Sequence, residues 1–153
     1  MSAEIIDINQ AEAPGPARLL AAIIYDTLLV AGLLMLASTV VTLPVGWFLS
    51  EEAMTALPQH PLFRLWLASV APTFFIYFWL RGGQTLGMKS WNIMVIRTDG
   101  TPLKLADAIL RFVGAIISWL ALGLGFLWLL VDRENRTWHD RLSGTRLIML
   151  EKK

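Results

Sequence analysis

The chain has 153 residues, of which 56% are hydrophobic and only 16% are charged, and its mean hydropathy is +0.57. A water-soluble domain of this size could not bury so much apolar surface, so we expect a single domain that lipid covers in part. The 13 Lys and Arg nearly cancel the 12 Asp and Glu, and this balance gives no electrostatic basis for binding nucleic acid. The absence of cysteine excludes disulfides, thiolate nucleophiles and cysteine-based metal sites.

The N-terminal segment does not have the pattern of a cleavable signal peptide. Glu4, Asp7 and Glu12 stand where a basic region would precede an apolar core. Residues 1–16 are therefore predicted to form a tail, followed by a membrane domain over residues 17–150.

The first apolar run is long enough to cross a bilayer. Between residues 19 and 50 the only charged side chain is that of Asp26, and about 20 apolar residues suffice to span the hydrocarbon core. We predict a spanning helix over residues 17–41, with Pro44 and Gly46 marking its loosened end.

A second apolar run follows a polar segment. Residues 51–61 contain two prolines and separate the first helix from Leu62–Leu80, which we predict to be the second spanning helix. Pro72 should kink this helix, a feature that membrane helices tolerate when neighbours satisfy the freed carbonyl.

The segment after the second helix has the composition of extramembrane structure. It contains a glycine-rich turn, an extended run at Trp91–Arg97 and the pair Asp99-Gly100, which is typical of a tight turn. A second extended run lies at Thr145–Leu150. Neither run could form a stable sheet alone, so we predict that the two pair in a small cytoplasmic sheet.

A third apolar segment has two possible interpretations. Its uncharged stretch over residues 112–131 has the length of a third span. The positive-inside rule, however, places both flanking basic segments in the cytoplasm and residues 51–61 outside, which an odd number of crossings cannot satisfy. We therefore favour a hairpin that enters and leaves on one side, broken near Gly123 and Gly125, over a full span. The basic residues are Arg81, Lys89, Arg97, Lys104, Arg133, Arg136, Arg141, Arg146, Lys152 and Lys153.

Asp26 is the first candidate functional residue. It lies about nine residues, or roughly 13 Å, inside the first helix, where an unpaired charge costs several kcal/mol. It is interpreted as a functional site, or as a structural group that is ion-paired or hydrogen-bonded between helices. An arginine, Arg18 or Arg111, is the expected partner. Arg18 also suits a positive-inside anchor.

Arg111 interrupts the third apolar segment. It either forms an interfacial ion pair with Asp107, four residues earlier on the same helix face, or turns toward Asp26 and completes a buried charge set.

The segment from Asp132 to Thr145 is dense in charges. Such a run is typical of a juxtamembrane stretch that contacts anionic lipid headgroups. His139 stands beside Asp140, but without a second nearby histidine or an HExxH motif we expect neither a metal site nor catalysis.

The chain resembles the RDD family of small bacterial membrane proteins, which is named for one arginine and two aspartates. The resemblance covers residues 17–150 and rests on Arg18 with Asp26, the turn GGQTLGMK and the box TWHDRLSGTRLI. The arginine matches Arg18, the first aspartate Asp26 and the second Asp140, with Asp132 as its rival. Met88 and Lys89 stand where the usual turn reads GK directly.

The predicted elements indicate an all-α membrane protein with a small two-stranded β element, and the resemblance implies a bacterial inner-membrane location and a role in transport, with no assigned substrate. We expect an oligomer that carries ions or small solutes, with no cofactor and no enzymatic activity; the alternative is a non-transporting module that recruits or stabilises a partner protein. Gly32, Gly46 and Gly114 would serve helix packing in either case. The expected charge site comprises Arg18, Asp26, Arg111 and Asp140, with secondary positions at Gln84, Thr85, Lys89, Asp107, Asp132 and His139.

Overall fold

A computed structural model describes residues 12–132, 134 and 136–150. Most of the predicted tail, up to residue 11, lies outside the described residues. The chain forms two compact units. We call the part up to Asp26 and from Phe75 onward the sheet unit, and Thr27–Phe74 the helical unit.

Two long helices contribute residues to both units. Helix α1 is Pro16–Phe48 and α3 is Pro61–Gly82, and both are long and apolar enough to cross a membrane. A short helix α2, Glu51–Ala56, and a 3-10 turn, Leu57–Gln59, join them. The two predicted spanning helices are therefore confirmed.

The predicted end of the first helix at residue 41 is wrong, because α1 continues through Pro44 to Phe48. Proline removes one backbone donor, and a single lost bond close to a helix end does not outweigh the continuing apolar run. At 1.5 Å per residue, α1 is about 50 Å long, more than the hydrocarbon core of about 30 Å. Only part of α1 can therefore lie in hydrocarbon.

Within the helical unit, the two long helices are joined by a side-chain hydrogen bond. The indole Nε1 of Trp66 on α3 donates to the carbonyl oxygen of Ala37 on α1 at 2.9 Å. At the turn, Ser50 caps α2 by accepting from the N–H of Ala53. The predicted kink at Pro72 stays a prediction.

The sheet unit contains the predicted pair of strands. Strand β1, Ile93–Arg97, is antiparallel to β2, Thr145–Met149, and Arg97 stands opposite Thr145 in the register. The pairing is confirmed. Gly100 closes the turn after β1 with a positive φ of 80°, and its N–H donates to the carbonyl oxygen of Arg97 at 2.9 Å.

The core of the sheet unit combines the sheet with both long helices. Its buried apolar side chains are those of Ala22, Trp79, Met88, Ile93, Val95, Leu103, Ala108 and Leu147. A two-stranded sheet is not stable alone, so burial against α1 and α3 holds it in place.

The third apolar segment is a broken helix. Helix α5, Leu105–Leu120, is followed by α6, Leu124–Leu127, and a 3-10 turn, Trp128–Leu130, and the two arms are bent by 108°. Gly123, with a φ of 81°, lies at the break, where the sequence predicts it.

The ends of this segment decide between its two interpretations. The N–H of Thr98 donates to the carbonyl oxygen of Gly144 at 3.0 Å, next to the paired Arg97 and Thr145. A single crossing would separate these ends by about 30 Å of hydrocarbon. The geometry therefore favours a segment that leaves and returns on one side over a third full span.

Candidate functional site

Asp26 is buried, at 5% exposure, and holds a turn that follows α3. Its Oδ2 accepts a hydrogen bond from the Thr85 hydroxyl at 2.5 Å, and its Oδ1 accepts one from the Gly87 N–H at 2.9 Å. We call Asp26, Thr85 and Gly87 the Asp26 clamp. All three belong to the sheet unit.

The local sequence explains why the clamp forms. Thr85 is the N-cap of α4, Leu86–Ser90, and its Oγ1 accepts from the N–H of Met88 at 3.2 Å. The N–H groups of a first helical turn lack partners inside the helix, and Asp26 supplies an acceptor to that of Gly87. The negative carboxylate also suits the positive end of the helix.

Gly87 permits the close approach of α1. A Cβ added there would lie 2.5 Å from the carbonyl oxygen of Ala22 and 2.8 Å from Cγ of Asp26. Any side chain would therefore push α4 away from α1 and lengthen the clamp's hydrogen bonds.

The predicted burial of Asp26 within protein agrees with the structure, but its predicted arginine partner does not. Among the described residues, Asp26 has no ion pair with Arg18 or Arg111. Arg18 is exposed, and its Nη1 lies 3.6 Å from Sδ of Met149. Neutral and backbone donors replace the guanidinium that the sequence suggested.

A second buried cluster surrounds Arg111. Its Nη1 forms an ion pair with Oδ1 of Asp140 and donates to Thr145 Oγ1 at 2.8 Å. The guanidinium carbon lies 5.2 Å from the centroid of the Trp79 ring, a cation–π contact. We call Arg111, Asp140 and Thr145 the buried ion-pair cluster.

Asp140 is fully buried in the first turn of helix α7, Trp138–Ser143, where its side chain forms a capping box with Thr137. Oδ2 of Asp140 accepts from the N–H of Thr137 at 2.9 Å and from its hydroxyl at 2.6 Å. The N–H of Asp140 donates back to Thr137 Oγ1. This reciprocal capping box fixes the carboxylate so that its other oxygen faces Arg111.

Both sequence interpretations of Arg111 are corrected by this arrangement. Asp107 does not pair with Arg111: its Oδ2 accepts from the N–H of Lys104 at 2.9 Å. The same oxygen lies 3.0 Å from Nε of Arg97, an ion pair by distance without hydrogen-bond geometry. Arg111 instead points from the buried face of α5 to Asp140 because α7 packs across that face.

The other predicted positions lie outside these two clusters. Gln84 donates through Nε2 to the carbonyl oxygen of Ile93 at 2.7 Å and ties the glycine-rich turn to β1. Lys89 is exposed on α4. Asp132 forms an ion pair with the exposed Arg141 and accepts from the N–H of Arg136. Asp140 thus has the deeper burial of the two rival aspartates.

His139 is buried beside the ion pair. Its ring meets the Phe126 ring edge-on at 4.9 Å between centroids, and its Nδ1 has no hydrogen-bond partner among the described residues. In the described part of the chain no group of three His, Cys, Asp or Glu side chains is placed to hold a metal ion. The geometry gives His139 a packing role.

Burial and charge shift the pKa values of both groups. Burial, reinforced by the positive charge of Arg111, lowers the pKa of His139 to about 4, against a smaller opposing effect of Asp140. Burial tends to raise the pKa of Asp140, but the positive charge of Arg111 and the hydrogen bonds from Thr137 together hold it below its usual value. At neutral pH, His139 is neutral and Asp140 is ionised.

We expect acid to destabilise the protein through His139. The folded pKa is lower than the unfolded value of 6.5, so the unfolded chain binds a proton more readily as the pH falls from about 6.5 to about 4. Over that window the free energy of unfolding should fall by roughly 3 kcal/mol. Denaturant unfolding in detergent at a series of pH values measures this. The variant His139→Gln should lose the slope, and a wild-type stability that stays flat over the window would contradict the expectation.

Sequence reasoning did not single out Gly87 of the Asp26 clamp or Thr145 of the buried ion-pair cluster, nor did it single out Thr137 and Trp79, which contact that cluster. Thr137 and Thr145 complete the contacts of Asp140 and Arg111, and Trp79 covers the guanidinium. The spacing of Thr137 and Asp140 is a capping-box signal that was available in the sequence. Thr145 and Trp79 carry no local signal, because they reach Arg111 only through the tertiary fold.

Comparison with known proteins gives a family but no individual relative. Neither the curated proteins nor the solved structures include a match to this chain. A sequence model of the RDD family matches residues 13–144, a range that includes α1, the Asp26 clamp and Asp140. With its apolar helices of membrane-spanning length, the chain belongs to the RDD family.

Proposed function

We propose that this protein is an oligomeric component of membrane transport for protons, cations or small solutes, and that the Asp26 clamp controls it. The supporting observation is a buried carboxylate on a helix of spanning length, held by two donors from a short turn. Carboxylates within spanning helices are rare and often mark ion or proton pathways.

A proton or cation bound to Asp26 would compete with the hydrogen bonds of the Asp26 clamp. A proton on either oxygen removes acceptor capacity, and a cation would need the lone pairs that now accept from Thr85 and Gly87. Either ligand therefore favours release of α4 from α1, whereas the bare carboxylate favours contact. A ligand with such a differential affinity shifts the balance between two arrangements of the turn.

Several copies are needed for a pathway, because two helices of spanning length cannot enclose one. Gly32 on α1 has no heavy atom within 4 Å of an added Cβ. Gly46 is already packed against Met54, and Gly114 against His139. Of these three small residues, Gly32 is the one available for close packing against a helix of another copy.

The proposed location is the bacterial inner membrane, with both termini and residues 81–104 in the cytoplasm. Ten basic residues lie in the segments over residues 81–104 and 133–153. The pairing of β1 with β2 requires these segments to share one side. Labelling of Ser90→Cys from outside intact cells would contradict this orientation.

The transport proposal predicts that Asp26→Asn lowers flux while the protein stays folded. An asparagine cannot release a proton, and its amide N–H faces the donors of Thr85 or Gly87. We expect proton or alkali-cation flux per folded protein in proteoliposomes to fall at least about tenfold, equivalent to about 1.4 kcal/mol of barrier. Purified protein, a pH-sensitive dye and imposed cation gradients provide the measurement.

Two variants of Thr85 serve as matched controls for that experiment. Thr85→Ser keeps the hydroxyl that donates to Asp26 and should retain flux, whereas the isosteric Thr85→Val removes it and should change flux. Absence of flux from the wild-type protein under every gradient would refute the proposal.

The second candidate is a non-transporting membrane module. It is favoured by the fact that both oxygens of Asp26 and both of Asp140 accept bonds from the chain itself, as expected for structural groups. In that case Asp26→Asn should lower the unfolding midpoint in detergent and leave any flux per folded protein unchanged.

A further inference from the structure

Helix α5 buries its polar side chains and exposes its apolar ones, the reverse of a helix in a water-soluble protein. The buried positions on its inner face include Arg111, Gly114 and Ser118. Its exposed positions are apolar: Ile109, Leu110, Val113, Ile116, Ile117 and Leu120. At 100° per residue, these exposed positions cover an arc of about 120°, roughly a third of the helix circumference. A contiguous apolar face of this kind requires a nonpolar partner.

This one-sided pattern distinguishes α5 from the two spanning helices. Helices α1 and α3 are apolar on all sides, as expected for helices surrounded by lipid, and α5 is strongly amphipathic. A strongly amphipathic helix that is apolar on one face is typical of a helix lying in the plane of the membrane surface.

The polar face of α5 is already covered by the sheet unit. Arg111 is paired with Asp140, and an added Cβ at Gly114 would lie 2.9 Å from Cβ of His139, so α7 packs closely against this face. The side of α5 that faces α7 is therefore occupied by protein, and the apolar side faces outward.

The connections of α5 also fit a position at the membrane surface. Lys104, at the N-cap, is exposed, and Trp119 and Trp128, on either side of the break, are exposed as well. Lysine and tryptophan are the residues that prefer the headgroup level. Leu122, at the break itself, is 92% exposed.

We propose that α5 lies in the plane of the membrane, with its apolar face in the hydrocarbon boundary of one phospholipid leaflet and its arginine-bearing face against α7. The occupant of the apolar face is lipid. The third hydrophobic segment thus neither crosses the bilayer nor descends steeply into it. The leaflet is the one on the side of the β1–β2 sheet, because residues 98–144 begin and end there.

The membrane depths of residues along α5 distinguish an in-plane helix from a re-entrant or spanning one. Ile109, Ile116 and Leu120 lie on one face, and the first and last are separated by about 16 Å along the axis. In an in-plane helix their depths are equal to within about 5 Å. In a helix along the membrane normal, the depths differ by up to the full separation.

The test uses single nitroxide labels on Ile109→Cys, Ile116→Cys and Leu120→Cys in the full chain. The chain contains no cysteine, so no other thiol reacts. The purified protein is reconstituted into vesicles of phosphatidylethanolamine and phosphatidylglycerol. Accessibility to oxygen and to a water-soluble nickel chelate gives the depth of each label. Met35→Cys on α1 is the reference in a spanning helix, and Thr98→Cys is the aqueous reference.

We expect all three labels to be accessible to oxygen, equal in depth and shallower than the label at Met35. A depth that increases steadily from Ile109 to Leu120 would overturn the proposal in favour of a re-entrant or spanning helix. Low oxygen accessibility with dipolar broadening between labels would overturn it in favour of a second copy. Full accessibility to the nickel chelate would place the face in water and would also overturn it. Val113→Cys and Ile117→Cys, on the same exposed face, repeat the measurement if one label prevents folding.

Discussion

Asp140→Asn is expected to lower the free energy of unfolding by about 3–5 kcal/mol, because it leaves the guanidinium of Arg111 buried without its counter-charge. Arg111→Met should lower the free energy of unfolding by a similar amount, because it leaves the carboxylate of Asp140 buried without its counter-charge. The double variant should cost clearly less than the sum of the two single variants, since it removes both charges together. Denaturant unfolding in detergent, followed by tryptophan fluorescence, gives the three values.

Asp132→Asn is the matched control for this series. It makes the same chemical change eight residues away, but its partner Arg141 is half exposed to solvent. Solvent screens an ion pair of this kind, so Asp132→Asn should lower the free energy of unfolding clearly less than Asp140→Asn does. Equal costs for the two asparagine variants would show that burial of the Arg111–Asp140 pair does not determine its importance.

Gly87→Ala is expected to destabilise the sheet unit by about 1–3 kcal/mol, because the new Cβ would overlap the carbonyl oxygen of Ala22 and Cγ of Asp26. The nearest atom belongs to the backbone of α1, so no side-chain truncation can relieve the overlap. Hydrogen exchange of the amide at residue 87 should also accelerate, since its bond to Asp26 lengthens. The unfolding midpoint and the exchange rate are the two measurements.

Gly82→Ala is the control for Gly87→Ala, because it should not lower the stability of the protein. Gly82 ends α3, and an added Cβ there meets no heavy atom within 4 Å. Alanine favours the helix over glycine by up to about 1 kcal/mol, so this variant should be neutral or slightly stabilising. If both alanine variants destabilised to the same extent, the close contact between α4 and α1 would not be the cause.

The elements of this fold were largely predictable because each has a local signal. The two spanning helices follow from apolar length, and the strands follow from extended runs bounded by turn residues. The end of α1 was not predictable, since Pro44 is a strong helix breaker in water but a weak one in an apolar run near a helix end. Charge distribution, rather than hydropathy, indicated that the third segment returns to its own side.

The partners of the candidate charged residues could not be predicted from the sequence. Asp26 and Arg111 were identified as candidates because burial of a charge in an apolar chain is costly, and Asp140 because it matches the second aspartate of the RDD family. Their partners depend on tertiary contacts between residues far apart in sequence, such as Asp26 with Thr85 and Arg111 with Asp140. Complementary charge suggested an arginine for Asp26, but the backbone N–H of Gly87 and a hydroxyl satisfy it instead.

The pairing of β1 with β2 has a consequence for the order in which the protein assembles. The strands are separated by residues 98–144, so β2 is synthesised after α5, α6 and α7. Until then β1 presents unpaired backbone groups, and Arg111 lacks its contact with Thr145 at the start of β2. Both spanning helices precede this step in the chain, so closure of the sheet is a late event that follows synthesis of the membrane-spanning part.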